Sequence, residues 1–340
     1  MRALLPIALV LAFLSTAALL GRAPAPAQLQ SAAAREFLSS LDDAGRARAT
    51  AGFDAPARSD WHFVPRQRAG LALRDMTDAQ RLAARRLIAS GLSAQGVLTF
   101  EGILQLEQVL LELDRARGVA DSIRDPGAYH LLVCGEPGSE RWSWRIEGHH
   151  ISVHFTHVGG ATRATPLFWG TNPGEVQSGP LAGLRVLGER EDAARALASS
   201  LSAEQRARAG VGGEVPADVL HVPAVLAARE RAGIAAAELG DAQRAQLRAL
   251  FEQQARDLRG ELAAAEIERI AAAGGALCFR WLGSLEPGKP CYYSIEGPGF
   301  AIEYVNVQND ANHAHLVWRD FEREHGRDLL REHLEAERGR

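Results

Sequence analysis

The stretch Trp142-Ser-Trp-Arg-Ile-Glu-Gly-His-His-Ile-Ser-Val-His-Phe-Thr-His157 carries two of the six tryptophans and four of the eleven histidines. Its second half alternates. Ile151, Val153 and Phe155 fall on one side of an extended chain, and His150, Ser152, His154 and Thr156 on the other. A period of two with one apolar side is the mark of a β-strand laid on a core. A later stretch answers it: Tyr292-Tyr-Ser-Ile-Glu-Gly-Pro-Gly-Phe-Ala-Ile-Glu-Tyr-Val-Asn306. The two align through Ile146-Glu147-Gly148 and Ile295-Glu296-Gly297, and each follows an apolar run and a Glu-Pro-Gly turn, at 136–138 and 286–288. Phe300, Ile302 and Tyr304 match the apolar set of the first stretch. The polar sets differ, with Gly299, Ala301, Glu303 and Val305 in the second. The pattern predicts an internal repeat of one strand–turn–strand–strand unit, at residues 129–157 and 278–306.

Outward from these units the pattern turns helical. Residues 31–49 place Phe37, Leu38 and Leu41 on one side. Thr77-Asp-Ala-Gln80 and Ser202-Ala-Glu-Gln205 are capping boxes, in which a hydroxyl and an amide three residues on satisfy each other's backbone N–H groups. Ser93 opens a longer helix with Val97, Ile103, Leu104, Leu106, Val109, Leu110 and Leu113 on its apolar face. Residues 189–209 and 241–273 are helical, the latter broken near Gly260, and a short helix ends the chain. Between them Trp61-His-Phe-Val-Pro65 is extended, since proline restrains its predecessor, and Thr165 to Pro173 gives one more strand and a loop. The expected class is α+β: a mixed or antiparallel sheet built from two related units and flanked by helices, in a single domain spanning 28–340.

Composition excludes some functions. The net charge of −4 gives no basic footprint for nucleic acid, and because all 38 basic residues but Lys289 are arginine, arginine richness is weak evidence for phosphate binding. Residues 3–20 are apolar behind Arg2 and are followed by Ala23-Pro-Ala-Pro-Ala27, the form of a secretory leader. Residues 1–27 are expected to be removed and the protein exported, to a periplasmic or extracellular space. No later segment is apolar enough for a membrane span. Cys134, Cys278 and Cys291 allow one disulfide after export, and the flanks of the second Glu-Pro-Gly turn suggest Cys278 with Cys291.

The histidines carry the chemistry. His150 and His154 lie about 13 Å apart along a strand and do not share one ion. His313 and His315, two apart, face the same side about 7 Å apart and can converge. With His149 and His150 they form the expected metal ligands, with Glu303 as oxygen ligand or general base and zinc as the first choice among divalent metals. The chain has no Gly-x-Ser-x-Gly elbow, His-Glu-x-x-His, phosphate loop or dinucleotide fingerprint. The leading expectation is a metal-dependent hydrolase. The alternative is a non-catalytic protein whose Trp/His face binds a small molecule or a cell-envelope component. A third is a structural envelope protein with buried histidines.

Trp61…Pro65…Arg68-x-Gly70, Arg124-Asp-Pro126…Tyr129, Trp142-x-Trp-Arg-x-Glu-Gly-His-His150, Thr165-Pro166…Gly170-x-Asn-Pro173 and His313-x-His…Trp318-Arg-Asp320 together resemble the domain of unknown function 3500. The likeness covers nearly all of the chain after the leader. It implies membership of a largely bacterial family without an assigned activity, so the site has to be argued from its residues.

Overall fold

The computed structural model describes residues 25–119 and 124–338. Most of the expected leader, residues 1–24, lies outside them. The helices are α1 (Pro26–Ser39), α2 (Asp43–Ala49), α3 (Asp78–Gly91), α4 (Ala94–Ala116), α5 (Gly188–Ser200), α6 (Ala203–Ala209), α7 (Asp241–Ala255), α8 (Gly260–Ala272) and α9 (Arg327–Arg338). Their starts follow the sequence signals. Thr77 and Ser202 close full capping boxes with Gln80 and Gln205, and the Ser93 hydroxyl accepts from Gly96 N. The expected helix over 31–49 is two helices, because Asp42 caps a new one by accepting from Gly45 N.

Twelve strands form one sheet: β1 (Thr50–Ala51), β2 (Leu71–Ala72), β3 (His130–Cys134), β4 (Arg141–Gly148), β5 (Ile151–Val158), β6 (Ala161–Arg163), β7 (Leu167–Thr171), β8 (Ile234–Ala235), β9 (Cys278–Gly283), β10 (Cys291–Gly297), β11 (Phe300–Val307) and β12 (His313–Asp320). The order is β1-β3-β4-β5-β7-β12-β11-β10-β9-β8, with β2 on β3 and β6 on β5. All pairs are antiparallel except β1 with β3. The protein is therefore α+β with a mixed, mostly antiparallel sheet. Read outward from the β7–β12 pair, both directions give a long strand, its hairpin partner and a third strand. The two hairpins share a register: Ile146 faces Val153 as Ile295 faces Ile302, and Gly148 faces Ile151 as Gly297 faces Phe300.

One face of the sheet carries the helices. Trp142, Trp144, Ile151, Val153, Phe155, Trp169, Phe300, Ile302, Tyr304 and Trp318 join helix residues such as Leu87, Leu197 and Phe251 in one core. Five tryptophans are fully buried, each contributing at most about 4–6 kcal/mol on area bookkeeping. The opposite face is also covered, by loops instead of helices. Trp61 and Phe63 from one loop and Val219 from another pack on Phe168, Tyr292, Val305 and Val317. Every residue of β5 is buried as a result, polar ones included. Buried arginines tie these loops down. Arg68 donates to His62 O and Val64 O, and Arg319 to His221 O, Val222 O and Val225 O.

One expectation is corrected by register. Cys278 pairs with Glu296 and Cys291 with Gly283, so the two cysteines sit at opposite ends of the β9–β10 ladder, and all three thiols are free. Arg319 and Asp320 do not pair with each other, because successive residues on a strand face opposite ways. Arg319 binds Glu324 on the loop side, whereas Asp320 meets Arg269 on the helix side.

Candidate metal centre

The β4–β5 hairpin turns on His149 and His150, since Gly148 and Ile151 are already paired. The matching turn of the β10–β11 hairpin is Pro298-Gly299. There Gly299 takes φ 75° without cost, having no Cβ. His150 occupies the same turn position with φ 64°. A left-handed conformation costs an L-residue roughly 1–2 kcal/mol. Residues held this way cluster at functional sites.

That turn is clamped from several sides. Glu147 is fully buried and accepts from Arg68 Nε at 2.8 Å, Arg145 Nη1 at 3.0 Å and Ser152 Oγ at 3.2 Å. Burial pushes its carboxyl pKa up, and the two guanidiniums oppose that. Arg68 also donates to Gly148 O at 3.0 Å, and His150 N donates to Phe63 O at 3.0 Å. A Cβ on Gly148 would come within 2.3 Å of the Tyr129 ring. A Cβ on Gly170 would come within 2.6 Å of His150 Cδ2. Glycine in β7 thus leaves the space that the His150 ring fills.

β12 brings the other imidazoles. His315 stands opposite Gly170 in the ladder. His150, His313 and His315 each place a ring nitrogen so that all lie within 4.8 Å of one another. His150 Nε2 is 2.9 Å from His313 Nε2, and the His313 and His315 ring centroids are 4.7 Å apart. Phe63 and Phe168 stack on each other at 4.0 Å, and His315 packs edge-on against that pair, 5.2 Å from each ring. Its Nδ1 lies 2.7 Å from Asp218 Oδ1 and its Nε2 is buried without a partner. A carboxylate on Nδ1–H fixes the tautomer and leaves the Nε2 lone pair for a metal, the usual support for a ligating histidine. Burial, reinforced by the neighbouring imidazoles, pushes His313 down to about 3 and His150 well below its ordinary value. Both rings are therefore neutral at physiological pH, the form that binds metal.

His149 joins the edge of this group. Its ring stacks on His150 at 3.7 Å between centroids, and Nδ1 lies 2.6 Å from Glu107 Oε2. Glu107, His149 and His150 form a second set with ligand atoms within 4.8 Å of one another. Arg124 Nη1 lies 3.3 Å from both His149 nitrogens, however, and a guanidinium there opposes a cation. His149 and Glu107 also line a cavity of about 570 Å³ with Arg68, Arg74 and His130.

Glu303 stands elsewhere. Its carboxylate accepts from Tyr292 Oη at 2.5 Å and His221 N at 2.9 Å, and it joins neither group of candidate ligands among the described residues. On β11 it faces Val317, two positions along the ladder from the Val305–His315 pair. His154 is also apart, bonded to Ser152 Oγ at 2.9 Å in a sealed network. The carboxylates beside the histidines are Glu107 and Asp218. Asp218 has no local sequence signal. Glu107 had one: it interrupts the apolar stripe of α4 and is 2% exposed between Ile103 and Leu110.

The fold and the site define an α+β protein whose β4–β5 hairpin and β12 bring two buried histidines and one half-buried histidine into metal-binding proximity. The chain belongs to the family described as "Protein of unknown function (DUF3500)", whose model matches residues 24–327. Comparison with curated proteins and with solved structures found no match. The motifs singled out in the sequence meet at one place: Arg68 and Glu147 anchor the turn, Arg124 and Tyr129 border it, Gly170 makes room for it, and His313-x-His315 faces it.

Proposed function

We propose that the protein is an exported metal-dependent hydrolase, with His150, His313 and His315 holding one divalent ion and zinc the first candidate. The observation that carries this reading is the convergence of three imidazoles, one oriented by Asp218 and one fixed in a strained backbone. Three nitrogen ligands with a position left open is the form of a catalytic zinc site. The ion would supply Lewis acidity for attack by water. The 570 Å³ cavity beside His149 gives a small-molecule substrate its approach. His149, paired with Glu107, is the group placed to carry a proton between that cavity and the centre. The matching hairpin registers support a duplicated scaffold in which only the first unit kept histidines at the turn.

Elemental analysis of untagged protein tests the reading. Close to one equivalent of zinc, copper, iron or manganese is expected. A folded His313→Ala/His315→Ala variant should lose it. Metal content unchanged in that variant, or clean metal-free protein that takes up no ion on titration, would sink the proposal and favour a non-catalytic binding protein.

A further inference from the structure

A second cavity, about 520 Å³, lies on the helix side of the sheet at the ends of β7, β11 and β12. The β7 and β12 residues that line it, Thr171 and Ala314, point away from the face bearing His313 and His315. Its origin is visible in the two hairpins. At the end of the β4–β5 ladder Trp142 faces His157, and their rings stack at 4.1 Å and 9°, filling the space. The corresponding residues of the β10–β11 hairpin are Cys291 and Asn306, which are smaller and bonded to each other through Cys291 N and Asn306 Oδ1 at 2.7 Å. The same scaffold is plugged in one half and open in the other.

The open half is built. Glu191 of α5 accepts from Tyr304 Oη at 2.6 Å and Asn306 Nδ2 at 3.3 Å and is paired with Arg195, so the cavity floor is fixed in advance. The β11–β12 connection along its rim holds Asn309, Asp310 and Ala311 in succession at φ 52°, 54° and 63°. Three consecutive non-glycine residues in this region are strained, and such strain tends to persist where a site needs it. Asn309 reaches Asn172, and Asn312 holds the backbone of Glu175, tying the two rims together. Thr171 Oγ1 is wholly buried and lacks a partner.

We infer that this cavity binds a saccharide. The wall alternates acceptors (Glu175, Asp310) with amides (Gln177, Asn309), which suits hydroxyl groups that both donate and accept. Arg185 of the wall is taken by Asp192, so among the described residues no free cation there recognises an anion. Leu187, Pro287, Ala311 and Ala314 give the wall some aliphatic surface, but polar surface predominates, which disfavours a greasy ligand. The volume falls within the usual range for small ligands, roughly 300–1,000 Å³.

The experiment is a titration of chelator-treated protein with cellobiose and N,N′-diacetylchitobiose, followed by calorimetry and saturation-transfer NMR, with spermidine and succinate as comparators. At least one disaccharide is expected to bind, unaffected by metal removal. Gln177→Ala and Asn309→Gly, the latter keeping the left-handed backbone, should each weaken binding about fivefold, the worth of one hydrogen bond. Thr171→Val should do the same without lowering the unfolding midpoint, since no internal bond is lost. Absence of disaccharide binding at millimolar concentration, spermidine binding in its place, or affinity unchanged in all three variants overturns the inference. None of these outcomes bears on the metal centre.

Discussion

Gly170→Ala tests the proposed metal centre without touching a proposed ligand. The added Cβ would sit 2.6 Å from His150 Cδ2, 2.9 Å from Cγ and 3.1 Å from Cβ. Carbon atoms prefer about 3.5–4.0 Å, so the imidazole has to retreat by nearly 1 Å. It cannot swing freely. His149 stacks on it, its backbone N–H is held by Phe63 O, and its carbonyl accepts from Gly170 N at 2.7 Å. Metal–ligand distances tolerate about ±0.2 Å, several times less than the required shift. Misplacing a ligand to this degree should cost at least the 10–100-fold in affinity seen when supporting groups are lost. Overpacking should also destabilise the fold by about 1–3 kcal/mol. Zinc affinity is read by competition with a chromophoric chelator, and stability by urea unfolding of the metal-free protein. A variant that remains folded and binds zinc as the parent does would refute the argument, because His150 would then not be a ligand.

Further outcomes are expected. Glu303→Gln should leave metal stoichiometry unchanged while lowering stability, as Tyr292 and His221 lose a charged acceptor; loss of metal in that variant would return Glu303 to the centre. His157 is pushed down to about 3 by burial against Trp142. Its folded pKa lies below the unfolded value of about 6.5, so the unfolded chain binds the extra proton. Stability is therefore fully present above pH 6.5 and falls as pH drops toward 3, by up to about 1.4 kcal/mol per unit. His157→Phe, which keeps the stack, should flatten that part of the urea-midpoint profile, and an unaltered profile would contradict the assignment. Protein recovered from its native host should have an intact mass lacking most of residues 1–27; a full-length mass in the soluble cytoplasmic fraction would exclude export.

Much of this protein was legible in its sequence because the signals are local. The alternation at 151–155 and 300–304 placed the core face, since a strand's period of two is set by backbone geometry alone. The capping boxes at Thr77 and Ser202 marked helix starts, since the hydrogen bonds involved span three residues. His313 and His315 were correctly put on one side of a strand for the same local reason. What needed the tertiary structure was everything fixed by strand order. Adjacency of β7 and β12 puts Gly170 opposite His315 and beside His150, more than 140 residues from His315 along the chain, and no periodicity encodes which strands become neighbours. Register, likewise, separated Cys278 from Cys291. Glu303 was given the right face and the wrong neighbourhood, because alternation specifies a side of the sheet and is silent about position along it. The loops over the second face bring Asp218 to His315, and helix packing brings Glu107 to His149. These partners come from contacts between distant segments, which the folded chain alone decides.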